Sequence, residues 1–297
     1  MARKIANGLQ LTKQCWNALR QNPQLMMFPL ISGIALMLVT VAFAVPTALG
    51  GWLLSGGQLP TTSEDITTAE WVFGVVMTFL FYFVSYTVII FSNTALVGAS
   101  LKLLKGEPAT VGDGIAIALG RLGPIFGFAL ISATIGTLAQ MGRNAGRDSD
   151  NNAIVRILAV VLSSLVQGVW SVVVFFAIPI YVVENVGPIK AIRRSWEIFK
   201  QTWGEGFTGR AAIAGVSGLV QILLVLLIVA LVGGSIALGS LPLIILAVLF
   251  GVVVFSAVAL ITGAVNGVFQ ASLYQYATTG SAGRFIDNDL ARNAFPT

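Results

Sequence analysis

Glu184 is the carboxylate best placed to do chemistry. It stands in Tyr181-Val-Val-Glu-Asn185, at the end of a long apolar run. Transport and proton relays use an ionisable group at membrane depth, where a charge costs about 3 kcal/mol and must find a partner. Arg193 and Arg194 follow closely in sequence. The favoured reading is therefore an inner-face polar network in which Glu184 pairs with Arg193 or Arg194 at the edge of the apolar layer. Catalysis would need more groups than this. The chain has no His, and Cys15 is its single cysteine. Ser-His-Asp triads, Cys–His dyads and zinc sites built on His or Cys are thereby excluded. The glycine-rich stretch Gly106-Glu-Pro-Ala-Thr-Val-Gly-Asp-Gly114 lacks the Gly-Lys-Ser/Thr ending of a phosphate loop. No catalytic, cofactor-binding or metal-ligating residue is assigned, and the chain is expected not to be an enzyme.

A second, weaker set is neutral. Asn93, Gln140, Gln167, Gln221, Asn266 and Gln270 fall in or near apolar runs. Such groups usually hydrogen-bond between helices, contributing about 0.6 kcal/mol each. The alternative is that they line a path for a weakly polar solute.

The elements that must carry these residues follow from composition. Of 297 residues, 56% are apolar and 10% charged, against roughly 25% charged in a soluble domain. So few charges cannot form a polar shell, so lipid must cover much of the surface. Six apolar runs are long enough to span about 30 Å of hydrocarbon: 25–50, 70–101, 122–141, 153–183, 207–238 and 242–277. The expected fold is all-α, a polytopic transmembrane helical bundle of six spans. Gly233-Gly234, Gly239 and Pro242 should mark the turn between the last two. With the N-terminus inside, the inner segments carry fourteen of the 17 Lys and Arg and the outer segments three. That bias places both termini in the cytoplasm. The polar residues Asn7, Gln10, Thr12, Lys13 and Gln14 interrupt any signal-peptide core.

Three segments precede spans without spanning. In residues 3–21 the apolar positions gather on one face, with Arg3, Lys4, Lys13 and Arg20 among the polar ones. Residues 110–121 open with Thr110 and Asp113, spaced as a capping box. Residues 188–203 open at Pro188, a favoured first helical position, and interleave Ile192, Trp196, Phe199 and Trp203 with Lys190, Arg193, Arg194 and Lys200. These read as amphipathic helices in the cytoplasmic interface. Arg3, Lys4, Lys13, Trp16, Arg20, Trp196, Lys200 and Trp203 are the candidate lipid-surface contacts. The partners this implies are membrane lipids, anionic ones first, with other membrane proteins or a second copy as further partners. The net charge of +5 follows from topology and implies no nucleic acid.

The same three segments open three similar units of one membrane domain, 1–107, 108–186 and 187–280, with 281–297 a short cytoplasmic tail. Cys15-Trp-Asn-Ala-Leu-Arg-Gln21 resembles Ser195-Trp-Glu-Ile-Phe-Lys-Gln201, and Gly112-Asp-Gly-Ile-Ala-Ile117 matches Gly187-Pro-Ile-Lys-Ala-Ile192 at three positions. A threefold parallel repeat is the expectation, since two spans return the chain to the same side. Small residues, among them Gly127, Ala129, Ser132, Ala133, Gly136, Gly215, Gly218 and the Gly263/Gly267 pair, should mark close helix contacts.

At Phe91-Ser-Asn-Thr-Ala-Leu-Val-Gly-Ala-Ser100 and Gly106–Gly114 the chain resembles an uncharacterised family of six-span prokaryotic integral membrane proteins, a domain of unknown function. Ala191-Ile-Arg-Arg-Ser-Trp196 is similar to a segment of a broader group that includes the membrane domain associated with glycerophosphodiester phosphodiesterases. The resemblance implies a multi-pass protein of a prokaryotic cytoplasmic (inner) membrane and transfers no activity. The expected function is a non-enzymatic scaffold, accessory subunit or bilayer-organising component. The alternative is a carrier or channel for lipid or another weakly polar solute.

Overall fold

The computed structural model describes residues 2–55, 67–147, 170, 175–203 and 208–284. They are helices joined by short turns and loops, with no strand among them. Helix α1 is Ala2–Gln21, followed by a 3-10 turn at Pro23–Met26. Then come α2, Met27–Leu54; α3, Thr68–Leu104; α4, Val111–Leu119; and α5, Leu122–Arg147. Helix α6 is Ala177–Glu184, α7 is Pro188–Trp203, α8 is Thr208–Ala237 and α9 is Leu241–Thr279.

Four stretches among the described residues are long and apolar enough to cross a membrane: Pro23–Leu54, Thr68–Leu104, Leu122–Asn144 and Leu241–Thr279. Gln221–Ala237 in α8 is a shorter apolar stretch. A helix satisfies its backbone internally, which is why it can stand in hydrocarbon. Side chains such as Leu38 and Val41 on α2 and Leu246 and Val253 on α9 are accordingly turned outward and exposed. The fourth expected run, 153–183, is not continuous where it is described. Phe175 and Phe176 form a turn, and α6 starts anew at Ala177. Pro179, which has no N–H for an i to i−4 bond, falls in the first turn of α6, where none is needed. The rest of that run, with Gln167, lies outside the described residues.

The helix ends follow local chemistry. Thr110 caps α4: the Asp113 N–H donates to Thr110 Oγ1 at 3.2 Å, and the Thr110 N–H donates to Asp113 Oδ2 at 2.8 Å. This is the expected capping box. The same device starts α3, where the Thr67 N–H donates to Glu70 Oε2 at 2.7 Å and the Glu70 N–H to Thr67 Oγ1 at 3.3 Å. The turn between α8 and α9 is narrower than expected. Gly233 and Gly234 lie inside α8, and only Gly239, at φ 64°, takes the left-handed turn before Pro242 opens α9.

Hydrogen bonds from the backbone N–H and hydroxyl of Thr110, then the Lys102 ammonium at 3.1 Å, hold the Asp113 carboxyl down at about 2, below its usual 3.8. A depressed carboxyl contributes stability above its unfolded value and loses it as pH falls through the folded one. The unfolding temperature should therefore decline between about pH 4 and pH 2, and Asp113→Asn should flatten that acid limb. An identical acid limb in the variant would dismiss this contribution.

Proximity divides the chain into two compact units. One comprises Met1–Leu30, Leu96–Gly114 and Ile198–Thr297; the other comprises Ile31–Ala95 and Ile115–Glu197. In the first unit, α1 packs against α8 and α9, and α8 against α9. Cys15, Ala18 and Leu19 form the buried face of α1, and burial pushes the Cys15 thiol up to about 12. Small residues mark the close contacts, as expected. A side chain at Gly267 would overlap Leu96, and one at Gly251 would come 2.7 Å from Ile228. In the second unit a Cβ at Gly127 would come 2.6 Å from the Pro188 ring, and one at Gly136 would come 3.3 Å from the Tyr86 ring. The side chains around Gly215 and Gly218 lie outside the described part.

Candidate functional site

The polar network on α6 and α7 belongs to the second unit. Chain reversal after Glu184 is set by Asn185, which takes the left-handed conformation at φ 53°. Asn tolerates that region better than most residues. Gly187 then leads into Pro188, and α7 begins. This brings Arg194 Nε to 3.7 Å from Glu184 Oε1, and Arg194 Nη1 to 3.5 Å from Glu197 Oε2. The expected Glu184–Arg194 pairing is present. Arg193 is exposed and makes no ion pair among the described residues. Both partners are open to solvent, so the bridge orients the loop more than it stabilises it.

The stronger element of this network is Arg121, which sequence reasoning missed. Its Nε donates to the Tyr181 carbonyl at 3.0 Å and its Nη2 to the Val182 carbonyl at 3.1 Å. The last carbonyls of a helix have no intrahelical partner and carry partial negative charge. A planar guanidinium fits two of them at once. The sequence signal was a lone arginine between two apolar segments, which charge counting treated only as a topology marker. Deeper in the same unit, the buried Tyr181 hydroxyl bonds to the Thr94 hydroxyl. Trp170 Nε1 donates to Ser132 Oγ at 3.2 Å.

Helix α7 shows two faces. Ala191, Ser195 and Ile198 are buried, spaced i, i+4, i+7 on one stripe. Ile189 and Trp196, at 69% and 42% exposure, share an outward stripe with the exposed Arg193 and Lys200. Apolar and basic residues thus alternate along the outward side. On α1, Lys13 and Arg20 are exposed and Trp16 is half-buried beside the buried face. The side chains of Arg3, Lys4 and Trp203 lie outside the described residues.

Among the described residues, no group of three His, Cys, Asp or Glu is placed to hold a metal ion. The arrangement can therefore position helix ends and present a basic, apolar surface. No curated protein matches the chain. The family of unknown function DUF6159 matches residues 72–285, which takes in α4 to α9 and nearly all of α3, and the chain belongs to that family.

Proposed function

We propose that this protein is a non-enzymatic, six-span component of a prokaryotic cytoplasmic membrane that organises lipid or partner proteins at the inner surface. The observation that carries this reading is the outward face of α7. Ile189 and Trp196 supply apolar anchors, and Arg193 and Lys200 stand beside them where phosphate groups would lie. A basic residue near an anionic surface contributes about 1 kcal/mol. Protein extracted in mild detergent is expected to copurify with anionic phospholipid, enriched over the whole-membrane extract. Replacing Lys190 and Arg193 together by glutamine should remove that enrichment without unfolding the chain. Arg194 is left in place because it pairs with Glu184. Copurifying lipid that matches the bulk membrane in composition would sink the proposal.

The orientation belongs to the same proposal, with both termini in the cytoplasm. Single cysteines at the exposed positions Thr68 and Asn144 should react with an impermeant thiol reagent on intact cells. Cysteines at Gln21 and Lys105, also exposed, should react only after permeabilisation. The reverse pattern would invert the topology. The threefold repeat is a further part of this reading. It draws on the order of elements, in which α1, α4 and α7 each stand directly before a long apolar helix. The similarity of Ala191–Trp196 to the phosphodiesterase-associated membrane domain brings no catalytic residue with it. The alternative, a carrier or channel for lipid or a weakly polar solute, draws on a cleft in the second unit. Protein-dependent lipid translocation in proteoliposomes would favour it.

A further inference from the structure

We infer that the cleft between α3, α5 and α6 is a binding site for an uncharged lipid bearing a free hydroxyl group. The cleft has a volume of about 290 Å³ and lies wholly within the second unit, near the low end of small-molecule pockets. Four isoleucines, Phe128 and Ala177 make up most of its described wall. Among the described residues, the Tyr86 hydroxyl, the Asn93 carboxamide, and Ser132 with its bond from Trp170 interrupt the apolar lining. Among the described residues, Tyr86 and Asn93 have no side-chain hydrogen-bond partner. Their neighbours behave otherwise. Thr87 donates to the Phe83 carbonyl at 2.8 Å, and Thr94 donates to the Ile90 carbonyl at 2.6 Å. A polar group at membrane depth with nothing to bond is costly, so a carboxamide facing a cleft calls for a partner that enters it.

The depth and the lining chemistry restrict that partner. Arg121 and Arg143 stand at the two ends of the apolar part of α5, each eleven residues from Ser132. At about 1.5 Å per residue they lie about 33 Å apart, close to the hydrocarbon thickness of about 30 Å. Ser132 therefore lies near the midplane, and a ligand must reach the cleft from hydrocarbon. Among the described residues no Asp, Glu, Lys or Arg lines the cleft, so a phosphate or ammonium group would enter with none of them to pair with, at prohibitive cost. An ester carbonyl only accepts, whereas a carboxamide both donates and accepts and a Tyr hydroxyl does the same. The group that answers both is a hydroxyl. The isoleucine walls take the hydrocarbon next to it. A diacylglycerol, which carries one free hydroxyl and no charge, has this chemistry.

The test uses the full chain in phosphatidylcholine nanodiscs, titrated with dioleoylglycerol and followed by native mass spectrometry. The control is dioleoylglycerol acetylated at its hydroxyl, which has the same chains and no donor. Dioleoylglycerol should bind at least about tenfold more tightly than the acetylated form, the difference made by one good hydrogen bond at 1.4 kcal/mol per decade. Asn93→Leu should abolish this discrimination and leave the unfolding temperature unchanged or higher, since no existing bond is lost. Should Asn93→Leu fail to fold, Tyr86→Phe, which removes one oxygen, should reduce the same ratio. Equal binding of the two lipids, or undiminished discrimination in a folded variant, would overturn the inference.

Discussion

Gly267→Ala is expected to lower the stability of the protein in detergent by about 1–3 kcal/mol, the usual cost of overpacking a filled interior. The new methyl would come 2.6 Å from Leu96 Cγ and closer still to one of its δ carbons. Leu96 is 1% exposed, so it has no free rotamer into which to swing. One of the helices must move instead. Gly263, one turn earlier on α9, faces Pro29 at an ordinary 3.7 Å and should accept alanine with little loss. The contrast separates tight packing from mere helix propensity, because Gly→Ala inside a helix otherwise stabilises by about 1 kcal/mol. A compensating pair sharpens the test. Leu96→Ala alone should cost about 2–5 kcal/mol through the cavity it leaves. Combined with Gly267→Ala, the loss should fall clearly short of the sum, as expected for residues in contact. Thermal unfolding of the four proteins reads this out, and additive losses would show that the two helices do not meet there.

Arg121→Met should be the most damaging single change on the polar side. It keeps much of the aliphatic stem and removes the donors that satisfy Tyr181 and Val182. Hydrogen bonds to a charged group contribute about 1.5–3 kcal/mol each. Because Arg121 is partly exposed, about 2–3 kcal/mol in total is the reasonable expectation after screening. Arg121→Lys should recover less than half of this, since an ammonium reaches one carbonyl well and two poorly. Glu184→Gln, by comparison, should cost under about 1 kcal/mol, because its bridge to Arg194 is long and exposed. If Glu184→Gln proved more harmful than Arg121→Met, the ranking of the network would be reversed.

That ranking shows what could be read from the chain and what could not. The apolar runs at 25–50, 70–101, 122–141 and 242–277 are in helices long enough to span, because hydropathy and helical hydrogen bonding are local properties. The Thr110–Asp113 box and Pro188 were legible for the same reason. The Thr67–Glu70 box carries the same local spacing at the start of α3. Glu184 drew notice because charges at the edge of an apolar run are rare, and its partner Arg194 lies close in sequence. Arg121 acts on carbonyls sixty residues away, and carbonyls carry no sequence signature. The cleft has the same character. Asn93 was visible as a polar residue in a span, but that it lacks a side-chain partner among the described residues depends on how α3, α5 and α6 come together. The break before α6 was announced by Pro179 and obscured by the uniform hydrophobicity around it.

The buried face of α1 has a practical consequence. Cys15 is fully enclosed, and at physiological pH almost none of it is thiolate, the form that reacts with maleimides, disulfides and peroxide. The wild-type chain should therefore behave in alkylation experiments as a cysteine-free background. Reporter thiols can be placed one at a time without first removing the native one, and spin labels or fluorophores will mark only the chosen site. A modest mass shift on denaturation in the presence of iodoacetamide would then count unfolded molecules directly, since the single native thiol becomes reactive only when α1 leaves its seat.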